Sequence, residues 1–188
     1  RPALGPAAGG VKSSTRRLVS VGEMGYKPGM QISLKYCPAC GRPGFKAGRR
    51  CECPACGFVY FHNGAAAAAA ILELDDKILL ARRAQEPGLG LLDLPGGFIE
   101  PDETAEQGLR RELGEELNLR PANLRYLCSL PNRYPWGGIE YRSLDLFFVA
   151  RLESLTDLRP SSEIAAVELI SPESINFQEM AFESIRRG

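Results

Sequence analysis

An α/β layer structure, preceded by a small cysteine-bearing module, is the fold that the sequence predicts. Apolar segments of strand length recur along the chain, and two further segments carry helix patterns. Elements of both kinds bury their apolar faces against one another in layers. The pentapeptide Cys-Pro-Ala-Cys-Gly occurs at residues 37–41 and again at 53–57. We therefore expect a flexible basic tail over residues 1–36, a metal-binding ribbon over 37–62 and the α/β domain over 63–188.

Five segments are predicted to be strands. They are residues 65–73, 77–83, 124–129, 143–152 and 165–170. The first begins with six consecutive alanines, which favour a helix by intrinsic propensity, but the Ile-Leu-Glu-Leu sequence that follows favours a strand. Asp75 and Asp76 supply a turn between the first two strands.

The strongest helix signal covers residues 105–117. Thr104 precedes it and Gln107 follows three residues later, which is the spacing of a capping box. Apolar residues recur at every fourth position and form a stripe that faces a core. They are Ala105, Leu109, Leu113 and Leu117. A second helix is predicted over residues 177–186.

Three glutamates of the first helix, Glu112, Glu115 and Glu116, lie within an arc of about 100°. Like charges so close repel one another, so the helix alone gains nothing from them. A hard divalent cation such as Mg²⁺ reverses that interaction, because it binds oxygen and keeps positions for water and phosphate. Glu116 also projects into the apolar stripe, where an ionised carboxylate without a partner is costly. The cluster therefore predicts a metal site, with a solvated acidic face as the alternative.

The stretch from Gly97 to Leu119 resembles the signature of the Nudix hydrolases, G-x5-E-x7-R-E-U-x-E-E-x-G-U, in which U is aliphatic. The matching residues are Gly97, Glu103, Arg111, Glu112, Leu113, Glu115, Glu116 and Leu119. Asn118 stands where the signature has glycine, and asparagine also tolerates the left-handed conformation that ends a helix. The resemblance implies a mixed-sheet α/β/α sandwich, with a strand over the alanine run.

The same resemblance implies an enzyme that uses Mg²⁺ or Mn²⁺ to hydrolyse a diphosphate linked to another group, by attack of water on one phosphorus. The implied metal ligands are Glu112, Glu115, Glu116 and the carbonyl of Gly96. Glu103 resembles the glutamate that pairs with the arginine of the signature, here Arg111, and holds the preceding loop against the helix. The predicted catalytic residues within the signature are therefore Glu103, Arg111, Glu115 and Glu116.

Residues outside the signature are expected to complete the site. Glu163, before the last strand, resembles the late glutamate that serves as base in several branches, and an exposed loop acid is the alternative. Arg83, at the end of the second strand, is a candidate to contact a substrate phosphate. Tyr134 and Trp136, in a proline-flanked segment that we expect to be a loop, are candidates to stack on adenine or to anchor packing.

The duplicated pentapeptide has the ligand pattern of a tetrahedral structural Zn²⁺ site. Its ligands would be Cys37, Cys40, Cys53 and Cys56. A redox pair or disulfides are the alternatives, and the duplication favours zinc. Cys51 and Cys128 fall outside the pattern, and Cys128 is expected to be a small buried residue. His62, the only histidine, is expected to have a structural or surface role.

Lysine plus arginine and aspartate plus glutamate balance at 23 each, but the charge is uneven. Residues 1–36 carry six basic residues and one acidic residue, a net of +5, which leaves −5 on the rest. The chain has no apolar run of 18 residues, so no membrane-spanning helix is expected. A cytoplasmic location is expected, or an organellar one if the basic start is a transit remnant.

Two classes of function follow. The first is a hydrolase of a nucleoside diphosphate linked to another group: ADP-ribose, a dinucleotide such as NADH or FAD, or an RNA cap. The ribbon resembles that of the NADH pyrophosphatase branch, and Pro135 resembles a mark of ADP-ribose pyrophosphatases. The second is a module whose ribbon and tail bind nucleic acid beside a degenerate domain. The intact acidic cluster favours the first class, with a nucleotide substrate and a homodimer as a further possibility.

Overall fold

The computed structural model describes residues 35–45 and 50–187. Its elements are β1 (Arg50–Glu52), β2 (Val59–Phe61), β3 (Ala65–Leu74), β4 (Lys77–Arg83), β5 (Leu92–Asp93), β6 (Gly96–Phe98), α1 (Ala105–Leu117), β7 (Arg125–Trp136), β8 (Ile139–Arg151), β9 (Ile164–Ile170) and α2 (Glu183–Arg187). Short 3₁₀ turns at Pro172–Ser174 and Phe177–Glu179 connect β9 to α2. The predicted tail lies outside the described residues except for Lys35 and Tyr36.

One mixed sheet organises the domain. Its strands run in the order β5-β4-β3-β8-β7, with β6 also paired to β3 and β9 to β4. The β3–β8 pair is parallel, whereas every other pair described in this sheet is antiparallel. Apolar clusters cover both faces, so the predicted α/β/α sandwich with a mixed sheet is confirmed.

The apolar stripe of α1 forms the first of these clusters. Leu109, Leu113 and Leu117 are fully buried and pack with Leu72 and Phe148 of the sheet. The second cluster lies on the other face, where Met180 and Ile185 of the C-terminal segment meet residues of β4, β5 and β8. Burying each leucine contributes roughly 1.5–3 kcal/mol, so the leucines that recur at every fourth position hold α1 against the sheet.

The alanine run forms a strand despite its helix propensity. Ala65–Leu74 is bonded to β8 along one edge and to β6 and β4 along the other. Gly96 of β6 approaches this strand closely, since a Cβ on Gly96 would lie 2.1 Å from the carbonyl oxygen of Ala68. Tertiary pairing therefore overrides local propensity at this strand.

The predicted start and end of α1 and the predicted turn between β3 and β4 are confirmed. Thr104 accepts a hydrogen bond from the Gln107 backbone at 3.2 Å, and its own N–H donates to the Gln107 side chain at 2.8 Å. Asn118 ends α1 in the left-handed conformation with φ of 56°. Asp75 and Asp76 also have positive φ values and form the tight β3–β4 turn.

Two predictions about the C-terminal half are wrong. The segment that contains Tyr134 and Trp136 is a strand rather than a loop, because β7 pairs with β8 as far as Trp136 opposite Ile139. The single helix predicted over 177–186 is divided into a 3₁₀ turn and α2. Met180 bridges to Leu92 at the break, and the Ala181 N–H donates to the Leu92 carbonyl at 2.7 Å.

The cysteine-bearing module is a small hairpin. Strands β1 and β2 pair antiparallel, and Cys37, Cys51 and Cys53 are buried with Phe45. The Cα of Arg50 faces that of Phe61 in this register. None of the helices in the described part of the chain is long and apolar enough to cross a membrane.

Candidate active site

A pocket of about 340 Å³ lies where β3, β4, β6 and α1 meet β7, β8 and α2. Its size is at the lower end of the range for small-molecule sites. The predicted residues Arg83, Gly96, Glu112, Glu116, Tyr134 and Glu163 all line it. Residues up to about 80 positions apart in the sequence therefore converge on one cavity.

Glu116 is the best-fixed acid of the pocket. Its Oε2 accepts a hydrogen bond from the Gly96 N–H at 2.9 Å. Burial raises the pKa of Glu116 to about 8 against the lowering effect of that N–H, and the charges of Glu112, Asp93 and Glu163 raise it further. This carboxylate has a backbone dipole for a partner but no described ion pair, so a cation beside it would stabilise its charged form.

Glu112 reaches the same wall because of a second glycine. A Cβ on Gly97 would lie 2.5 Å from the carboxyl carbon of Glu112, so any other residue there would displace the acid. Burial raises the pKa of Glu112 against the lowering effect of the neighbouring Arg111. Two carboxylates and the adjoining Gly96 backbone thus line one small volume, and these hard oxygen donors suit Mg²⁺ or Mn²⁺.

Arg111 fastens the loop that precedes the helix. Its Nε and Nη2 donate to the two oxygens of Glu103 at 2.8 and 3.0 Å, and Nη2 also donates to the Phe98 carbonyl at 3.0 Å. Its Nη1 donates to Glu112 at 2.8 Å and to Glu115 at 3.2 Å. Hydrogen bonds from Arg111 lower the pKa of Glu103, as expected for a positioning pair.

Glu115 and Trp136 are not brought into the pocket. The side chain of Glu115 is 62% exposed and meets Arg111 on the outer side of α1. Trp136 is 52% exposed at the end of β7, away from the pocket lining. In the described residues, only the four cysteines bring three or more metal-binding side chains within 4.8 Å, so the three glutamates do not form such a group by themselves.

Arg83 lies between Asp93 and the ring of Phe182, and thus between the acidic wall of Glu112, Glu116 and Gly96 and the aromatic side of the pocket. Its Nη1 pairs with Asp93 at 2.7 Å, its Nε donates to the Pro87 carbonyl at 2.6 Å, and its guanidinium lies 5.1 Å from the centre of the Phe182 ring. Burial raises the pKa of Asp93 to about 6 against the lowering effect of Arg83. The guanidinium is oriented by these contacts and is partly exposed to the pocket.

Tyr134 belongs to an aromatic cluster in the pocket. Its ring meets Phe98 edge-on at 5.3 Å and lies tilted by 30° against Phe182 at 5.4 Å. Burial raises the pKa of Tyr134, with nearby Arg83 lowering it. A flat apolar ligand can stack beside these rings.

Five polar residues of the pocket were not predicted from the sequence: Gln85, Asp93, Asn132, Ser143 and Asp145. Asp145 lies within the apolar run of β8 and is buried, with Ser143 and Ser184 hydroxyls donating to its two oxygens at 2.7 Å each. A charged residue at an inward position of a strand was the available signal. Asn132 gave no such signal, because its segment was expected to be a loop.

The four predicted zinc ligands converge as well. The Sγ atoms of Cys37 and Cys56 are 3.8 Å apart, and those of Cys40 and Cys53 are 3.7 Å apart. A hydrogen bond from the Ala55 backbone is the largest of several that lower the pKa of the Cys53 thiol to about 7, against the effect of desolvation. All four ligand atoms lie within 4.8 Å of one another, so this cluster could hold a metal ion.

The family of the chain follows from a comparison of its sequence with models of known protein families. The model of the NUDIX domain matches residues 62–187, which is most of the chain. The chain therefore belongs to the NUDIX family, as the signature predicts. A solved NUDIX hydrolase from Nitrosomonas europaea has the same fold, with a TM-score of 0.66 and 29% identity over 82% of this chain and 87% of that one.

Curated relatives carry more specific names. The NAD-capped RNA hydrolase NudC of Yersinia enterocolitica is 34% identical over 125 residues, which are 65% of this chain and 45% of that protein. The ADP-ribose pyrophosphatase of Methanocaldococcus jannaschii is 42% identical over 83 residues, which are 43% of this chain and 48% of that protein. The chain thus matches about half the length of each of these relatives.

The Arg111 contacts predict a specific defect for Arg111→Lys. A lysine cannot pair with both oxygens of Glu103 and also reach the Phe98 carbonyl, because it lacks the planar fork of donors. We expect amide hydrogen exchange over residues 97–103 to become about tenfold faster. Arg151→Lys is the matched control, since that side chain is 88% exposed in its ion pair with Glu73. Unchanged exchange in the Arg111 variant would contradict the assigned role.

Proposed function

We propose that the protein hydrolyses the diphosphate bond of a nucleoside diphosphate linked to another group, with ADP-ribose as the first candidate. One observation carries the proposal: Glu112, Glu116 and Glu163 share a single pocket with Arg83 and the aromatic pair of Tyr134 and Phe182. Acids suited to a metal at one side and flat rings at the other match the two chemical parts of a nucleotide. The name of the Methanocaldococcus relative supports this substrate class.

The proposed reaction uses the residues of the acidic wall. Glu112, Glu115, Glu116 and the Gly96 carbonyl would hold Mg²⁺ or Mn²⁺, with Glu115 turning inward from Arg111. Such an ion, when bound, lowers the pKa of water and neutralises phosphate oxygens. Glu163 is the proposed base that takes the proton of the attacking water. Arg83 would bind a phosphate and stabilise the charge that develops on it, while Glu103 and Arg111 keep the loop in place.

The bond that breaks joins a phosphorus to the bridging oxygen. Water adds its oxygen to that phosphorus, and the bridging oxygen leaves with the second phosphate. ADP-ribose would therefore yield AMP and ribose 5-phosphate. Tyr134 is proposed to contact the adenine, whereas Trp136 lies outside the pocket and is no longer proposed for that role.

A second candidate is the diphosphate bond of a dinucleotide or of a nucleotide cap on RNA. Residues 1–62 contain ten lysines and arginines and two glutamates, a net of +8, and residues 63–188 carry the opposite charge of −8. Basic segments bind the phosphate backbone of nucleic acids. The name of the Yersinia relative supports the cap. The domain boundaries, the cytoplasmic location and a homodimer stay predictions.

The acidic wall predicts a large catalytic loss in Glu116→Gln. Glutamine still accepts the hydrogen bond from Gly96 but removes a charged ligand, so the fold should persist while kcat falls by about a hundredfold or more. Glu106→Gln is the matched control, because Glu106 is exposed in the first turn of the same helix. Turnover of the Glu116 variant within about threefold of wild type at saturating Mg²⁺ would contradict the assignment.

The choice of substrate is tested by kcat/KM for ADP-ribose, NADH, FAD and NAD-capped RNA against ATP and dGTP. A site that binds the groups on both sides of the diphosphate should give the first four substrates a higher kcat/KM than the two triphosphates. Capped RNA far ahead of free NADH would favour the second candidate. A triphosphate whose kcat/KM is about tenfold higher than theirs, which corresponds to about 1.4 kcal/mol of transition-state preference, would overturn the proposal.

We also propose that the cysteine cluster binds one structural Zn²⁺, separate from the exchangeable ion of the acidic wall. Thiolates are soft ligands and carboxylates are hard, so the two sites should hold different metals. Elemental analysis should find one zinc per chain in the wild-type protein and in Cys128→Ser, and none in Cys37→Ser. Zinc content unchanged in Cys37→Ser would place the metal elsewhere.

A further inference from the structure

The wall of the pocket formed by β7 and β8 contains an unpaired polar atom. Asn132 is only 6% exposed, and its Oδ1 is buried with no hydrogen-bond partner in the described part of the chain. A buried amide oxygen without a donor is unfavourable in the folded protein. Native structures contain few such atoms, and this one belongs to a residue of the pocket lining.

The two serine hydroxyls of this wall do not supply the missing donor. Ser143 lies directly opposite Asn132 in the β7–β8 register, and its single hydroxyl proton goes to Asp145 Oδ1 at 2.7 Å. The hydroxyl proton of Ser184 goes to the other oxygen of Asp145, also at 2.7 Å. Asp145 accepts a hydrogen bond at each of its two oxygens. This wall is therefore rich in acceptors, and both of these hydroxyl protons are already used.

A half-turn of the Asn132 amide resolves the conflict. The two orientations of an amide have nearly the same shape, and only the hydrogen-bonding partners distinguish them. Turning the Nδ2 group toward the acceptors of the wall presents Oδ1 to the pocket instead. The pocket then offers an acceptor to whatever occupies it, and the matching ligand must carry an N–H donor.

The rings beside Asn132 restrict the ligand further. Tyr134 follows Asn132 on the same face of β7 by the two-residue repeat of a strand, and it packs with Phe182 of the C-terminal segment. Asp145 bonds Ser184, so the same polar cluster anchors α2, which directly follows Phe182. A flat ring that carries an N–H donor on its edge fits both features, and this combination describes an amino-substituted nucleobase.

We propose that Asn132 is a specificity-determining residue that selects a nucleobase with an exocyclic amino group, and that adenine is its ligand. Asparagine pairs with adenine by accepting from the N6 amino group and donating to a ring nitrogen. This inference rests on the proposed function for the position of the diphosphate, and it adds which base the pocket accepts. Hypoxanthine in place of adenine offers an oxygen where the Asn132 acceptor requires a donor.

Asn132→Leu separates the ligand-binding role from a purely structural one by its substrate preference. Leucine has a similar size but cannot donate to the acceptors of the wall, so both roles predict a lower Tm. Only the ligand-binding role predicts a changed preference for the 6-amino group. Ser129→Leu is the matched control, because Ser129 is exposed on the opposite face of the same strand.

The decisive experiment compares ADP-ribose with an analogue in which purine replaces adenine, so that only the 6-amino group is lost. Wild type and Ser129→Leu should show kcat/KM about tenfold higher for ADP-ribose. In Asn132→Leu the two substrates should differ by less than about twofold, through loss of activity on ADP-ribose alone. An unchanged ratio in Asn132→Leu would overturn the proposal.

Calorimetric binding of AMP and of purine riboside 5′-monophosphate tests the base subsite without catalysis. Wild type should bind AMP about tenfold more tightly, and Asn132→Leu should bind the two equally. If that pattern holds while ADP-ribose is not hydrolysed, the proposed function fails and the base subsite stands. If ADP-ribose is hydrolysed but wild type shows no preference for AMP, the base subsite fails alone, and this arm needs no folded variant.

Discussion

Close contact between α1 and the two glycines of β6 is the constraint on which the acidic wall depends. The buried leucines of α1 fix its distance from the sheet. Glu112 and Glu116, each directly before one of these leucines, then reach the β6 backbone. Gly97 leaves room for the Glu112 carboxylate, and Gly96 donates its N–H to Glu116 while it approaches the Ala68 carbonyl. A side chain at Gly96 would clash with the β3 backbone, and one at Gly97 would displace the Glu112 carboxylate.

Arg111 extends this constraint to the loop between β6 and α1. Its guanidinium meets three glutamates and one backbone carbonyl, so one cation partly offsets the repulsion within the acidic group. Burial raises the pKa of Glu112 and of Glu116, and Arg111 lowers only that of Glu112, so the charged forms of these acids lack full compensation at the buried end. A divalent cation would supply the remaining charge, which is a physical reason for such acids to lie beside a pocket.

The other half of the pocket follows a different logic. It is built from the hairpin of β7 and β8 and from a C-terminal segment that the buried Asp145 anchors through Ser184. Aromatic rings and an amide line this half, and Arg83 lies between it and the acids. The proposed metal binding and the proposed base recognition can therefore change independently, because separate elements would carry them. The cysteine hairpin is a third unit, with its own small core of Cys37, Phe45 and Cys53.

The sequence by itself determined the elements whose signals are local. The capping box at Thr104, the four-residue leucine repeat, the Asp75-Asp76 turn and the approach of the two cysteine pairs each need only a few neighbouring residues, and each was predicted correctly. The signature likewise covers the acids of α1, whose metal-binding role stays a prediction. The signature did not show which way each acid points. Glu115 turns to Arg111 on the outer side of α1, although it is next to Glu116 in the sequence.

Only the tertiary structure decided the rest. The extension of β7 to Trp136 depends on pairing with β8, and the break of the last helix depends on the contact of Met180 with Leu92. Asn132 and Asp145 become pocket residues because strands distant from the signature pass beside β3 in the sheet. Such contacts join residues far apart in the chain, and their free energy comes from burial and pairing that no local pattern encodes.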